Sequence, residues 1–374
     1  MAENFFVGTR KGLFEYARQN GQWQIEAVHF LGDPVSIVLP AGDGTLYAGL
    51  NLGHFGAKLH RRRPGSTEWE ECSAPQFPAG AVVNAGPPLD ENTPPETKPA
   101  SLEEIWALET GGTDQPGVLW AGTIPGGLFR SIDEGDSWQL VESLWNREER
   151  NRWFGGGKDS PGIHSICVDP RDSNDMVLGI SCGGVWKTAD GGETWRNDST
   201  GLRADYMPPD LTYDPVAQDP HRLVQCADDP NTMWIQHHNG VFLSRDRGLT
   251  WQELDTPKPS VFGFAVAVHP HDANTAWFAP AQKDDMRVPV ESRVVVSRTV
   301  DGGESFEVLG QGLPEHEAYD IIYRHALDVD AAGATLAMGS TTGGLWVSSS
   351  AGDDWSCLSM NLPPIYCVRF ATGA

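Results

Sequence analysis

Four segments of the chain end in nearly the same turn: SIDEGDSW (131–138), KTADGGETW (187–195), SRDRGLTW (244–251) and RTVDGGESF (298–306). Each has an Asp, a Gly two residues later, then Thr or Ser just before an aromatic residue. The carboxylates of Asp133, Asp190, Asp246 and Asp301 can accept hydrogen bonds from the N–H groups of their own turns. The Gly takes a positive φ that a side chain resists. The aromatic residue opens the next strand and anchors it in a core. Weaker copies are SSSAGDDW (348–355), with Ser350 in place of Asp, RRPGSTEW ending at Trp69 and YARQNGQW ending at Trp23. The closing aromatics fall at 23, 69, 138, 195, 251, 306 and 355, at intervals of 46, 69, 57, 56, 55 and 49 residues. A unit of roughly 45–57 residues fits one four-stranded propeller blade, and the longest interval requires a loop insertion.

The strands around these turns repeat as well. GLFEY, GLFRS, GVFLS and GGLWVS precede the turns; FFVGT, LYAGL, LWAGT and LAMGS come before those; IHSICVDP, LVQCADDP and FAVAVHP come earlier still. We call the four strands A (earliest, innermost), B, C and D. The chain begins at a strand B (5–8) and finishes with IYCVRF (365–370), a strand A with no B to follow. The pattern predicts an all-β chain, one seven-bladed β-propeller domain over residues 1–374. Closure of 363–370 on 4–28 would fasten the ring and remove exposed sheet edges. Loop insertions are expected near 73–101, 144–162, 201–220 and 281–292.

Composition agrees where it bears on this. Gly 42 and Pro 27 suit many short strands joined by turns. A formal net charge of −24 argues against nucleic acid and anionic membrane as partners. MAENFFVGTRKG has no signal-peptide pattern, and no apolar run approaches the ~20 residues of a membrane helix. The expectation is a cytoplasmic protein whose six cysteines are buried and reduced.

In these turns the chain resembles the BNR or Asp-box repeat proteins, which include sialidases, the sortilin ectodomain, xyloglucan-active glycoside hydrolases and a photosystem assembly factor. As a whole it is similar to bacterial proteins called "glycosyl hydrolase, BNR repeat" or exo-α-sialidase-like. The resemblance implies a propeller. It leaves the chemistry open, because the group holds enzymes, receptors and assembly factors.

Antiparallel strands alternate in direction, so A–B and C–D turns share one face and B–C and D–A connections share the other. The Asp-bearing turns are C–D turns, which puts function on the opposite face. Loop lengths agree: the A–B turns DPRDSND, ADDPNT and HPHDAN are short, whereas the D–A connections are long. Long ordered loops at one end of a rigid scaffold are where function resides. Polar residues gather there: Arg10 and His54 in B–C loops, Gln236, His237 and His238 in another, and His164 and Ser165 opening strand A of blade four. His221, Arg222 and Gln225 open strand A of blade five, and His316, Glu317, Tyr319 and Asp320 lead into blade seven. These elements should converge on the mouth of the central channel.

Three roles are open. The leading expectation is a glycosyl-hydrolase-like enzyme acting on a small saccharide or polar metabolite. Its catalytic candidates are His164, His221, His238, Glu317, Tyr319 and Asp320, and Arg10, His54, Trp153, Arg222, Gln225 and Gln236 would bind substrate. Glycoside hydrolysis needs two carboxyl groups about 5–9.5 Å apart, and Asp159, Asp284, Asp285 and Glu315 are further candidates. Tyr319 beside Glu317 is similar to the tyrosine nucleophile of sialidases, but the chain departs from that family in blade number and in lacking its Arg-Ile-Pro segment. The second role is metal-assisted: His221 and His237 would hold a divalent transition metal, Mn, Zn or Fe, as His and Gln do in seven-bladed oligogalacturonate lyases, which the chain resembles here. Adjacent His237 and His238 cannot both point the same way on an extended strand. The third is a non-catalytic module gripping a glycan or peptide, with Trp106, Trp145, Trp153, Phe154 and Tyr206 available for stacking.

Overall fold

The computed structural model describes residues 3–84, 96–156 and 158–371. Seven antiparallel sheets form a ring. Their inner strands are Ile365–Phe370, Val35–Pro40, Glu104–Thr110, Ile163–Asp169, Pro220–Gln225, Gly263–Val268 and Leu327–Val329. Each touches the next, and the last touches the first. Blade one is assembled from both ends of the chain: Ile365–Phe370 pairs antiparallel with Asn4–Thr9, with Phe5 opposite Phe370 and Val7 opposite Val368. Gly12–Gln19 and Gln22–His29 complete it. The ring therefore has no free edge at its seam.

The blades pack through apolar strand faces. Trp120, Trp186, Trp234, Trp277 and Trp346 are each at most 1% exposed and lie on B or C strands. Trp120 of blade three packs with Ile163, Met176 and Trp186 of blade four. Truncating such a ring to Ala typically removes about 3–5 kcal/mol.

The recurrent turn is a closed hydrogen-bond unit. In the blade-four copy, Asp190 Oδ1 accepts from Thr188 Oγ1 at 2.7 Å and from Thr194 N at 2.9 Å. Its Oδ2 accepts from Thr194 Oγ1 at 2.6 Å. Thr188 Oγ1 accepts in turn from Gly192 N, whose φ is 91°. Asp133, Asp246 and Asp301 make the same set, so the hydroxyl two residues before each Asp belongs to the unit. In the degraded copy the roles are exchanged: Ser350 Oγ donates to Asp354 Oδ2 at 2.7 Å and accepts from Asp354 N. The aromatic ring closes the turn, as Trp195 Nε1 donates to the Gly192 carbonyl.

Three features differ from expectation. Blade four has no regular outer strand, only a bridge between Lys187 and Arg196. Beyond Arg196 the chain bonds to blade five instead, through Thr200 against Thr250. The 73–101 insertion, expected as a loop, carries a ribbon of Val82–Asn84 against Thr97–Pro99, with 85–95 outside the described residues. Of the six free cysteines five are buried, but Cys357 is exposed on an outer strand. Among the described residues no helix is long and apolar enough to cross a membrane.

Hydrogen bonds from Thr194 and Ser305 hold Asp190 and Asp301 down to about 2. A carboxyl depressed in the folded state stabilises above its unfolded pKa, and that stabilisation is lost as pH falls toward the folded value. Tm measured by calorimetry should therefore drop between pH ~4 and ~2, and less so in Asp301→Asn. Asp246→Ala should lower stability by about 1–2 kcal/mol while leaving the opposite face intact.

Candidate functional site

Six of the seven inner strands share a local irregularity at their B–C end. The register with strand B slips by one residue around Tyr366, Ser36, Trp106, His164 and His221, and by a similar slip around Phe264. A bulge turns the extra residue out of the ladder and re-aims its side chain. The cause is crowding between neighbouring blades. A Cβ on Gly122 would stand 2.6 Å from the Ile163 carbonyl of the next inner strand, and one on Gly8 would likewise stand 3.0 Å from the Val35 carbonyl of the next. The Gly repeated in the strand-B motifs is thus the residue that lets inner strands close around the channel.

The re-aimed side chains line a cavity of about 910 Å³ at the channel mouth, on the face of the B–C and D–A connections. Tyr366, Ser36, Trp106, His221 and Phe264 all face it, together with Arg10, Cys182, His238, Asp284, Arg287 and Arg324. His164 is turned into the channel below, where its Nε2 donates to the Pro220 carbonyl at 2.7 Å.

At one wall lies a cluster of Asp219, His221 and His238, whose nearest ligand atoms are all within 4.8 Å of one another. Asp219 is 3% exposed. Its Oδ1 accepts from Ser181 Oγ at 3.2 Å and from Cys182 N at 3.0 Å, which fixes the carboxylate against blade four. Its Oδ2 faces His221 Nε2 at 3.4 Å and His238 Nδ1 at 3.6 Å. His221 Nδ1 lies 2.7 Å from the Gly263 carbonyl, an acceptor only, so Nδ1 carries the proton. The ring stacks on Phe264 at 4.5 Å. His238 Nε2 stands 3.8 Å from Asp284 Oδ2. Burial raises the Asp219 carboxyl, but the imidazoles of His221 and His238 facing it outweigh that and the net shift is well below the ordinary carboxyl range. Burial lowers His221 despite Asp219 beside it.

The sequence candidates divide between this cavity and elsewhere. Arg10, His221 and His238 face it, as do Trp106, Phe154 and Tyr206. His237, expected as a metal ligand, is fully buried with both ring nitrogens facing backbone N–H groups, of Asp219 and Asn239, and burial holds it down to about 3. Strand alternation sends His237 inward and His238 outward. Gln236 is spent on the carbonyls of Val261, His237 and Gly240, and Gln225 on that of Val168. Trp153 packs against Trp186 in the core. His54 sits in an exposed turn beside Phe55 and does not line the cavity. Glu317 and Tyr319 are exposed and off it, with Tyr319 63% exposed. Asp320 accepts the hydroxyls of Ser340 and Thr342. Asp159, Asp285 and Glu315 do not line it either. His164 and Arg222 belong to a second cavity of about 360 Å³ at the other end of the channel, where burial raises Glu109 and Asp328.

Sequence reading missed Asp219, Phe264, Arg287, Tyr323, Arg324 and Tyr366 at the mouth. The Asp-Pro-His of 219–221 carried a signal, since a carboxylate two residues before a histidine shares its face on an extended chain. Arg324 carried none.

No protein-family model matches the chain, and no curated protein matches it. Among solved structures it is similar to an ancestral GH74 enzyme, with 16% identity and a TM-score of 0.56, covering 84% of this chain and 36% of that one. The chain thus spans little more than a third of that enzyme. It is also similar to YCF48 bound to D1 peptide (15% identity, TM-score 0.51, covering 94% and 88%). A functionally unknown protein from Desulfotomaculum acetoxidans matches end to end (9% identity, TM-score 0.54, covering 100% of each). At these identities the likeness is one of fold.

Gly122→Ala should destabilise by about 1–3 kcal/mol through overpacking, read as a lower denaturation midpoint with an unchanged slope.

Proposed function

We propose that this propeller is a metal-dependent hydrolase or lyase acting on a small saccharide or related polar metabolite at the channel mouth. The observation that carries this is His221 Nε2 facing Asp219 Oδ2 at 3.4 Å while Nδ1, on the other side of the ring, is directed at the Gly263 carbonyl and takes the proton of the neutral ring. Two lone pairs at that distance repel unless a cation lies between them. Both contacts to Asp219, 3.4 and 3.6 Å, are longer than ordinary hydrogen bonds. The first is at the upper end of the roughly 3.0–3.4 Å that separates neighbouring ligands held ~2.1 Å from a first-row metal, and the second is slightly beyond it. Two imidazoles and a carboxylate with open positions suit Mn²⁺, Zn²⁺ or Fe²⁺.

Such an ion supplies a Lewis acid for a substrate oxygen and lowers the pKa of bound water. The chain's own groups do the rest. Gly263, Ser181 and Cys182 orient His221 and Asp219, as outer partners of metal ligands do. Asp284, next to His238 Nε2, is the carboxylate in reach to move a proton at the cavity edge. Tyr206, 39% exposed at the cavity, offers a ring to a sugar. A two-carboxylate glycosidase mechanism has less support: Asp219 stays charged, and the carboxyls raised by burial, Glu109 and Asp328, line the opposite end of the channel.

Binding without turnover is the second reading, favoured by the aromatic lining and by a peptide-bound YCF48 of the same fold. A screen of glycosides and sugar acids separates the two by the presence or absence of product.

Protein purified after growth with Mn, Zn and Fe supplied should carry a stoichiometric transition metal by elemental analysis. His221→Ala, His238→Ala and Asp219→Asn should lose it. His237→Ala should keep it, while losing about 2–4 kcal/mol of stability to the cavity it leaves. Metal-free wild-type protein from replete medium would refute the proposal.

A further inference from the structure

Arg324 lines the cavity wall and is only 9% exposed. Among the described residues no hydrogen bond or ion pair reaches its guanidinium, and its Nε is buried without an acceptor. Neighbouring cations are answered: Lys158 Nζ is 2.9 Å from Glu104, and Arg287 pairs with Asp284 at 2.5 Å. Asp219 attracts it from across the cavity, but a buried guanidinium with no hydrogen-bonded acceptor is strongly disfavoured. The guanidinium lies over the Trp106 ring at 4.7 Å and near Phe264 at 5.6 Å. Those rings attract the cation from its face, but they leave the in-plane N–H donors unanswered.

The arginine is also held in place. Ile321 N donates to Thr341 Oγ1, and Thr341 N donates back to the Ile321 carbonyl. His325 Nε2 donates to the His164 carbonyl at 2.7 Å, across the channel. Arg324 stands between these two anchors, so its donors are pre-set rather than gathered on binding. Phe264 links it to the metal cluster, because the same ring stacks on His221.

We propose that Arg324 is the binding residue for an oxyanion on the substrate, a carboxylate or a phosphate, so that the ligand of this cavity is a small organic anion and not a neutral saccharide. The inference deepens the metal-dependent reading and rests on it only for where the reacting end lies. An anion gripped by Arg324 would present its other oxygens toward Asp219, His221 and His238. A guanidinium matches carboxylate or phosphate through two parallel donors, which Lys cannot reproduce.

The test uses the intact protein and its tryptophan fluorescence, since Trp106 lies beneath the guanidinium. The probes are D-glucuronate, inorganic phosphate and D-glucose, each added to wild-type, Arg324→Lys and Arg324→Met protein. D-glucuronate or phosphate should bind wild type at least about tenfold tighter than D-glucose. Tighter binding of glucuronate identifies a carboxylate, and of phosphate a phosphate ester. Arg324→Met should abolish the preference and Arg324→Lys should retain part of it. Preference for the anion should survive removal of metal by chelation and survive in His221→Ala, so a failure of the metal reading leaves this result standing. Equal binding of all three probes, or of none, to wild-type protein would overturn the proposal without recourse to any variant.

Discussion

The packing of seven inner strands around one channel is the constraint on which the rest depends. In several blades the next inner strand is pressed so closely at one end that the strand-B position tolerates no side chain, as at Gly122 against Ile163 and Gly339 against Ile365, while blade five holds Gln236 there. Regular pairing cannot be kept there, and the register slips. In six of the seven inner strands the slip frees a residue from the ladder, and all but His164 of those freed side chains line the mouth. Tyr366, Trp106 and His221 reach the cavity for this one reason, though they come from distant parts of the sequence. The closing pair of Ile365–Phe370 and Asn4–Thr9 keeps that geometry under tension-free closure, with no edge to fray.

Within this frame the chemistry gathers around Asp219. Its carboxylate is tied by one oxygen to blade four and presents the other to two imidazoles. A chain of net charge −24 thereby buries a negative group where it also places Arg10, Arg287 and Arg324. The cavity lining sets Arg10, Lys158, Arg287 and Arg324 against Asp33, Glu104, Asp219 and Asp284, so it is balanced in charge where the chain as a whole is acidic. Opposed charges held apart by stacked rings such as Phe264 suit a ligand that carries an anion at one end and metal-binding oxygens at the other.

The fold was largely legible because it repeats. A turn whose Asp, Gly and aromatic each have a separate physical duty, recurring at near-constant spacing, leaves few architectures. The site was only half legible. The working face followed from strand direction, and His221 and His238 from their place on it. His237 and Gln236 misled because residue type does not reveal which side of a strand faces the channel, and both are consumed by backbone groups. Tyr319 and Glu317 misled because proximity in sequence to a blade does not bring a loop over the mouth. Asp219 was hidden as the last residues of a long connection. Arg324 was hidden because its meaning lies in what it lacks, an acceptor, which only three dimensions display.

The most direct test of the account is an anomalous difference map from crystals grown with Mn²⁺, recorded above and below the metal edge. The account places a peak between Asp219 Oδ2, His221 Nε2 and His238 Nδ1, at ~2.1 Å from each. An ordered crystal with no anomalous density there, or with the ion held elsewhere in the cavity while Asp219 and His221 keep their present contact, would contradict it.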